Sequence, residues 1–304
     1  MTLTAHHLDQ TDRLFPEKAI HEATLGQFIP LIYHYNMLND EARMGAFEQA
    51  IALAVKTGAR VLELGGGTAV LSWFAVRSGA SRVYCVERNP ELVAHARRNL
   101  DLNPGGDRIS VVEADAMDYL PPEPVDVVVC EMLHVGMLRE KQIAVIESFK
   151  RRYLARFGGP LPKFVPEAFF NAVQPVAQSF DFHGYHSPAA FFQDPGSLQP
   201  RTVQMGEPVV YQQAVYEEPL SMECSWEGEL DFSHAGEINA LRFITNNVVT
   251  VDEVQNRNVE WLNQYLVIPL ERPVKVKAGS KGLVRFSYAA GDPVDTLKPT
   301  LVLV

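Results

Sequence analysis

Cysteine is scarce in this chain: three residues in 304, Cys85, Cys130 and Cys224, with no two at the spacing of a metal knuckle or a redox motif. That pattern excludes a disulfide scaffold, calls for no metal, and fits a reducing, cytoplasmic compartment. A basic excess is missing too. Against 37 acidic residues stand 27 Lys and Arg, a formal net charge of -10, so nucleic acid is not an expected partner and a cationic substrate is. No apolar run approaches the roughly 18 to 20 residues of a membrane-spanning helix, so no membrane partner is expected either. The first ten residues carry two histidines and an aspartate instead of a basic stretch before an apolar one, which is not the pattern of a signal peptide. Internal repeats and low-complexity tracts are absent.

What is present is a globular composition, 47% hydrophobic and 21% charged, long enough for two domains. Met44, Phe47, Ile51, Leu53 and Val55 recur near helical spacing over residues 41–56 and predict a helix that stops at Gly58. Short apolar runs follow at 60–64, 82–86, 109–112 and 125–130, separated by helical patterns at 69–79 and 90–102, the second opened by Pro90. Strands alternating with helices predict an α/β, doubly wound, Rossmann-like parallel sheet. Gly158-Gly159-Pro160-Leu161-Pro162 breaks this rhythm. From Phe164 onward the runs at 208–211, 241–245, 265–268 and 282–288 predict a mainly antiparallel, β-barrel-like second domain.

The first strand delivers Glu63-Leu64-Gly65-Gly66-Gly67-Thr68 into a helix start. Glycines there bring backbone N–H groups and free space to a polar ligand. Glu87 follows Gly67 by 20 positions, at the end of the next strand, where a carboxylate accepts from ribose hydroxyls. S-Adenosylmethionine and a dinucleotide both fit at this point. Val70, where a dinucleotide fingerprint prefers its third glycine, argues against the second. Asp115 and Ala116, after the third strand, offer a carboxylate to an adenine amino group beside a small residue that leaves its backbone open; a solvated loop aspartate is the alternative.

Residues 61–72, 83–87 and above all Cys130-Glu131-Met132-Leu133-His134-Val135-Gly136-Met137-Leu138-Arg139-Glu140 resemble the protein arginine methyltransferases. The resemblance implies a class I methyltransferase that uses S-adenosylmethionine. It also implies that Glu131 and Glu140, nine positions apart on a loop after the fourth strand, hold the acceptor guanidinium as the catalytic pair. Physical chemistry agrees, because a planar guanidinium is held best by carboxylates, and two buried carboxylates repel each other unless a cation lies between them. Residues 32–43 are similar to the family's cofactor lid. On that match His34 contacts the cofactor, Met37 packs near its sulfur and Arg43 clamps its carboxylate, while Glu63 organises the loop near its amino-acid end.

The expected organisation is a helical lid over 1–45, a cofactor-binding domain over 46–157 and a β-rich substrate or dimerisation domain over 158–304. The chain also departs from the family. Its Tyr-Phe-x-x-Tyr lid motif corresponds to Thr24-Leu25-Gly26-Gln27-Phe28, its Thr-His-Trp loop to Val259-Glu260-Trp261, and its Trp-Met-Gly-Tyr run to Met132-Leu133-His134-Val135. Glu260 and Trp261 are therefore candidate substrate contacts, with Glu260 able to meet an α-amino group. The acceptor is an arginine in a protein or peptide, or free arginine or a similar small guanidine, and a homodimer is expected. A methyltransferase for a non-guanidino acceptor, a nicotinamide oxidoreductase and a non-catalytic cofactor-binding protein are the alternatives.

Overall fold

The structure, a computed structural model, describes residues 29–304, so the Thr24–Phe28 comparison lies outside the described residues. Helix α1 (Leu31–Leu38) follows Pro30 and buries none of its side chains. Helix α2 (Glu41–Ala54) begins at Asp40, whose Oδ1 accepts from the Arg43 backbone N–H at 2.9 Å, a side-chain N-cap. It buries Phe47, Ala50, Ile51 and Ala54, one face at the 3.6-residue period. Leu53, counted in that face from sequence, lies off it and is 41% exposed, and the helix ends at Ala54, with Val55 as its C-cap.

The parallel sheet contains β1 (Arg60–Leu64), β2 (Arg82–Glu87), β3 (Ile109–Glu113), β4 (Val127–Cys130) and β5 (Lys163–Val165). Helices α3 (Val70–Arg77), α4 (Pro90–Asp101) and α5 (Gln142–Phe157) join them. The strand order is β3-β2-β1-β4-β5, every pairing parallel. The chain moves outward from β1 through β2 and β3 on one side and returns as β4 on the other. Loops from β1 and β4 therefore diverge at a switch point, where such sheets hold ligands. β5 lies beyond the Gly158–Pro162 break, after which the sequence predicts a mainly antiparallel domain; the α5 crossover returns it beside β4 as a fifth parallel strand.

The remaining strands are β6 (Ala168–Gln178), β7 (Asp181–Phe182), β8 (Tyr185–His186), β9 (Phe191–Gln193), β10 (Thr202–Gln204) and β11 (Val209–Val215). After them come β12 (Glu223–Asp231), β13 (Gly236–Asp252), β14 (Arg257–Leu262), β15 (Tyr265–Val276), β16 (Lys281–Ala289) and β17 (Thr300–Leu303). One sheet runs β10-β6-β13-β15-β9, with β11 also on β6 and β14 on β13; a smaller one is β12-β16-β17. The pairings within both are antiparallel. Val173, Leu241 and Phe243 of the larger sheet meet Leu230, Val284 and Phe286 of the smaller in one apolar core, which gives the second domain its barrel-like form. The four runs read from sequence are pieces of longer strands. β13 extends through Asn246, Asn247 and Thr250, polar residues that break an apolar run but find side-chain partners in Glu260, Asn263 and Glu167.

The two domains pack closely. The core around the parallel sheet takes in Phe169, Tyr216, Val249 and Val259 from the antiparallel strands. Buried Lys150 of α5 donates to the Tyr216 carbonyl at 3.0 Å and forms an ion pair with Glu147 at 2.5 Å, so its charge does not stand unpaired in the junction. Among the described residues no helix is long and apolar enough to cross a membrane.

Candidate active site

A cavity of about 420 Å³ opens at the C-terminal ends of β1, β2, β3 and β4, covered by α1, the start of α2 and Trp261 of β14. One end is built on the glycine turn. Gly65 and Gly67 have φ of +76° and +53°, and an added Cβ would come within 3.0 Å of Met132 Cγ at the first and 2.8 Å of His34 Cε1 at the second. Glycine is needed there because both the left-handed backbone and the space exclude a side chain. Glu87, buried at the end of β2, accepts from Gly67 N–H at 2.9 Å on Oε2 and from Asn89 N–H at 2.7 Å on Oε1. Glu63 beneath the turn accepts both the backbone N–H (2.9 Å) and the hydroxyl of Ser72. Burial pushes the Glu63 carboxyl up to about 7, and the Ser72 bonds pull it back.

Asp115 and Ala116 border the same cavity; Asp115 Oδ1 accepts from Met117 N–H at 2.9 Å, and Arg88 lies 3.7 Å from its other oxygen. Thr68, Met37 and His34 also face it. Burial first, and the neighbouring Arg43 charge second, lower the His34 pKa to about 4, so that imidazole is neutral at pH 7. Two buried polar atoms at this end, His34 Nε2 and Asn89 Nδ2, have no hydrogen-bond partner among the described residues. A glycine cradle that a Cβ would fill, orphaned polar atoms and a buried carboxylate at the β2 end together fit an adenosine-bearing cofactor.

The other end is built on the loop from β4 to α5. Glu131 leaves the buried strand Val127–Cys130 and forms an ion pair with Arg43 of α2. Gln142, buried at the first turn of α5, braces the loop on both sides of Glu131: its Nε2 donates to the Cys130 carbonyl at 2.8 Å and its Oε1 accepts from Met132 N–H at 2.9 Å. Glu140 borders the same cavity. Burial raises its pKa to about 8 against the lowering pull of Arg43 and Arg139. Arg43 is itself mostly buried, with its guanidinium on Glu131 and 5.9 Å from the Trp261 ring centre.

All but one of the residues singled out from sequence border this cavity. Glu260 does not. Strand alternation along β14 turns Val259 and Trp261 inward and Glu260 outward, away from the cavity, where it accepts from Asn246 at 2.8 Å and Asn258 at 3.1 Å. Arg43, expected on a cofactor carboxylate, lies on Glu131. Residues not anticipated include Asn263, Gln264 and Phe192, which reach the cavity from the second domain, and His134. Of these only His134 carried a sequence signal, as a departure inside the glutamate loop.

A family model described as a methyltransferase domain matches residues 61–155. An uncharacterised protein of Methanothermobacter thermautotrophicus is 30% identical over 272 residues, covering 89% of this chain and 97% of that one. An arginine N(omega)-methyltransferase of Streptomyces achromogenes subsp. streptozoticus is 26% identical over 283 residues, 84% of this chain and 76% of that one. The PRMT1 enzyme–prozyme heterotetrameric complex of Trypanosoma brucei with AdoHcy superposes with a TM-score of 0.69 at 15% identity, over 89% of this chain and 96% of that one. The chain belongs to the protein arginine methyltransferase family. As a member of that family it is an S-adenosylmethionine-dependent N-methyltransferase of class I, which removes the nicotinamide and non-catalytic readings. The arginine methyltransferase fold accounts for both the 3-2-1-4-5 sheet and the two-sheet second domain.

Proposed function

We propose that this arginine methyltransferase transfers a methyl group to a terminal nitrogen of an arginine-type guanidinium, held between Glu131 and Glu140. One observation carries the reading: a guanidinium, that of Arg43, is ion-paired with Glu131 in this cavity, and its charge also pulls on the Glu140 carboxyl. Two carboxylates on one buried loop are tolerated when a cation neutralises them.

Bound S-adenosylmethionine supplies an electrophilic methyl group on a sulfonium. His34, Met37, Glu63, Gly65, Gly67, Thr68, Glu87, Asp115 and Ala116 hold the cofactor on this reading, with Glu87 on the ribose and Arg43 on the carboxylate. Glu131 and Glu140 draw the guanidinium N–H groups toward their oxygens, localise its positive charge away from the reacting nitrogen and orient that nitrogen's lone pair. The methylated guanidinium keeps one positive charge, so one N–H proton must leave. Glu140, with a carboxyl pKa near 8, is suited to receive it. Trp261 closes the wall beside the acceptor.

The acceptor class, protein or peptide arginine or free arginine, rests on the relatives: the Streptomyces protein is named for arginine itself, and others are named for histones. We place the enzyme in the cytoplasm, in keeping with its three free cysteines, and as a homodimer, in keeping with the apolar side chains that Phe182, Tyr185 and Leu198 expose after β6. Mass spectrometry of products from arginine peptides, free arginine and agmatine tests the reaction. Methyl gain on guanidino nitrogen is expected; cofactor binding with no methylation of any guanidine would overturn it.

A further inference from the structure

The glutamate loop carries a side chain that the proposed transfer does not use. His134 borders the cavity three positions after Glu131, and its ring stands edge-on to Phe192 of β9, centroids 5.4 Å apart at 84°. Its Nδ1 lies 3.1 Å from the Val135 carbonyl oxygen. A carbonyl only accepts, so Nδ1 carries the ring proton and Nε2 is left with a lone pair. Nε2 is buried, and among the described residues no group reaches it. Burial also lowers the ring pKa to about 4, so it stays neutral at pH 7 and offers nothing to an anion. A buried acceptor without a donor is costly, and one bordering a cavity is satisfied by what enters the cavity.

The hydrogen-bond inventory of the guest fixes what that is. An alkylguanidinium has five N–H groups. When each carboxylate takes two N–H groups in a bidentate pair, four are used and one N–H is left over. Resting on the guanidino reading above, we propose that His134 Nε2 accepts this fifth N–H and makes the site selective for an unmethylated guanidinium over an ω-methylated one. A neutral acceptor suits the position, because a third carboxylate would overbalance the single positive charge. The ω-methylated guanidinium has only four N–H groups, which the glutamates absorb, and it leaves Nε2 unpaired. The enzyme is thereby biased to stop after one methyl.

The test compares kcat/KM for free arginine and for ω-methylarginine, or for the corresponding peptides where only these are methylated, in wild type, His134→Leu and His134→Gln. Wild type is expected to favour the unmethylated acceptor by about tenfold or more, the scale of one buried hydrogen bond. Leu, which fills similar space without an acceptor, should bring the ratio toward one; Gln, whose amide oxygen can accept, should restore part of it. Adenosylhomocysteine affinity and Tm should hold in both variants, which a merely structural histidine would not allow. An unchanged ratio in a folded Leu variant, or in the Gln variant should Leu fail to fold while wild type shows no preference, overturns the proposal. Absence of guanidine methylation by the wild type overturns the reading it rests on instead.

Discussion

The carboxyl of Glu140 is the group whose titration most directly reports on the acceptor site. Burial raises its pKa from the ordinary 4.5 to about 8, with Arg43 and Arg139 pulling the other way. To hold a guanidinium it must be ionised. At pH 7, one unit below that pKa, about a tenth of the free enzyme has the charge, so acceptor capture falls about tenfold short of its plateau, or ~1.4 kcal/mol. The acceptor itself stays cationic throughout, its pKa lying above about 12. With saturating cofactor, kcat/KM for the acceptor should climb with a slope near one from pH 6 and level off above about 8. Glu140→Gln should lose both the slope and about a hundredfold in turnover. The stability sign is opposite. A carboxyl whose folded pKa is raised contributes stability that is full below the unfolded value near 4.5 and is lost as pH rises through about 8. The Gln variant should therefore melt a few degrees above wild type at pH 9 and gain nothing at pH 4. A flat kcat/KM profile from pH 6 to 9, or the same slope in the Gln variant, refutes this account.

Three further outcomes follow from the cofactor end. Glu87→Ala removes the acceptor of the Gly67 N–H together with the proposed ribose contact, and isothermal calorimetry should show adenosylhomocysteine binding weaker by about 1–3 kcal/mol; unchanged affinity would remove Glu87 from the ribose. Arg43→Lys keeps a charge beside Glu131 but loses the planar fork, so cofactor affinity should drop about tenfold; equal affinity would leave Arg43 as the partner of Glu131 alone. Gly67→Ala forces a methyl to within 2.8 Å of His34 Cε1 at a φ of +53°, and thermal scans should show both a lower Tm and a smaller shift on adding cofactor; a wild-type shift would mean that α1 yields without cost.

The ligand-binding end of the parallel sheet was legible because β1, β2 and β4 are short, largely buried apolar runs that stop at a glycine, a carboxylate or a loop, and buried parallel strands carry their signal in composition alone. β5 was missed since three residues after a glycine-proline break hold too little pattern to show direction. The second domain was legible as strands but not in extent: β13 runs 17 residues through asparagines and threonines whose hydrogen bonds only the folded neighbours reveal. Glu260 lies off the cavity that Trp261 borders, a placement that the period of two along Val259-Glu260-Trp261 already implies. Phe192, Asn263 and Gln264 had no local signal, because their place in the cavity depends on how two domains meet.

That meeting also explains how a loop outside regular structure can hold two carboxylates in register. Gly136, Met137 and Arg139 all have positive φ, +69°, +57° and +62°, and the two that are not glycine sit in a region that costs about 1–3 kcal/mol each. Such a backbone persists only when its surroundings over-determine it. Gly136 N–H donates to Thr245 Oγ1 at 2.7 Å, Arg139 N–H to the Asp292 carbonyl at 2.8 Å, and Gly291 N–H to the Met137 carbonyl at 2.9 Å, while Asn263 Nδ2 donates to the Leu133 carbonyl at 3.1 Å. Every one of those partners belongs to the antiparallel strands or their turns, whereas Gln142, which braces Glu131, belongs to the helix that returns to the parallel sheet. Glu131 is thus set mainly by the first domain, and the stretch leading to Glu140 by the second. Their spacing is a property of the interface between the two, and the β-rich domain helps to fix where the second carboxylate stands.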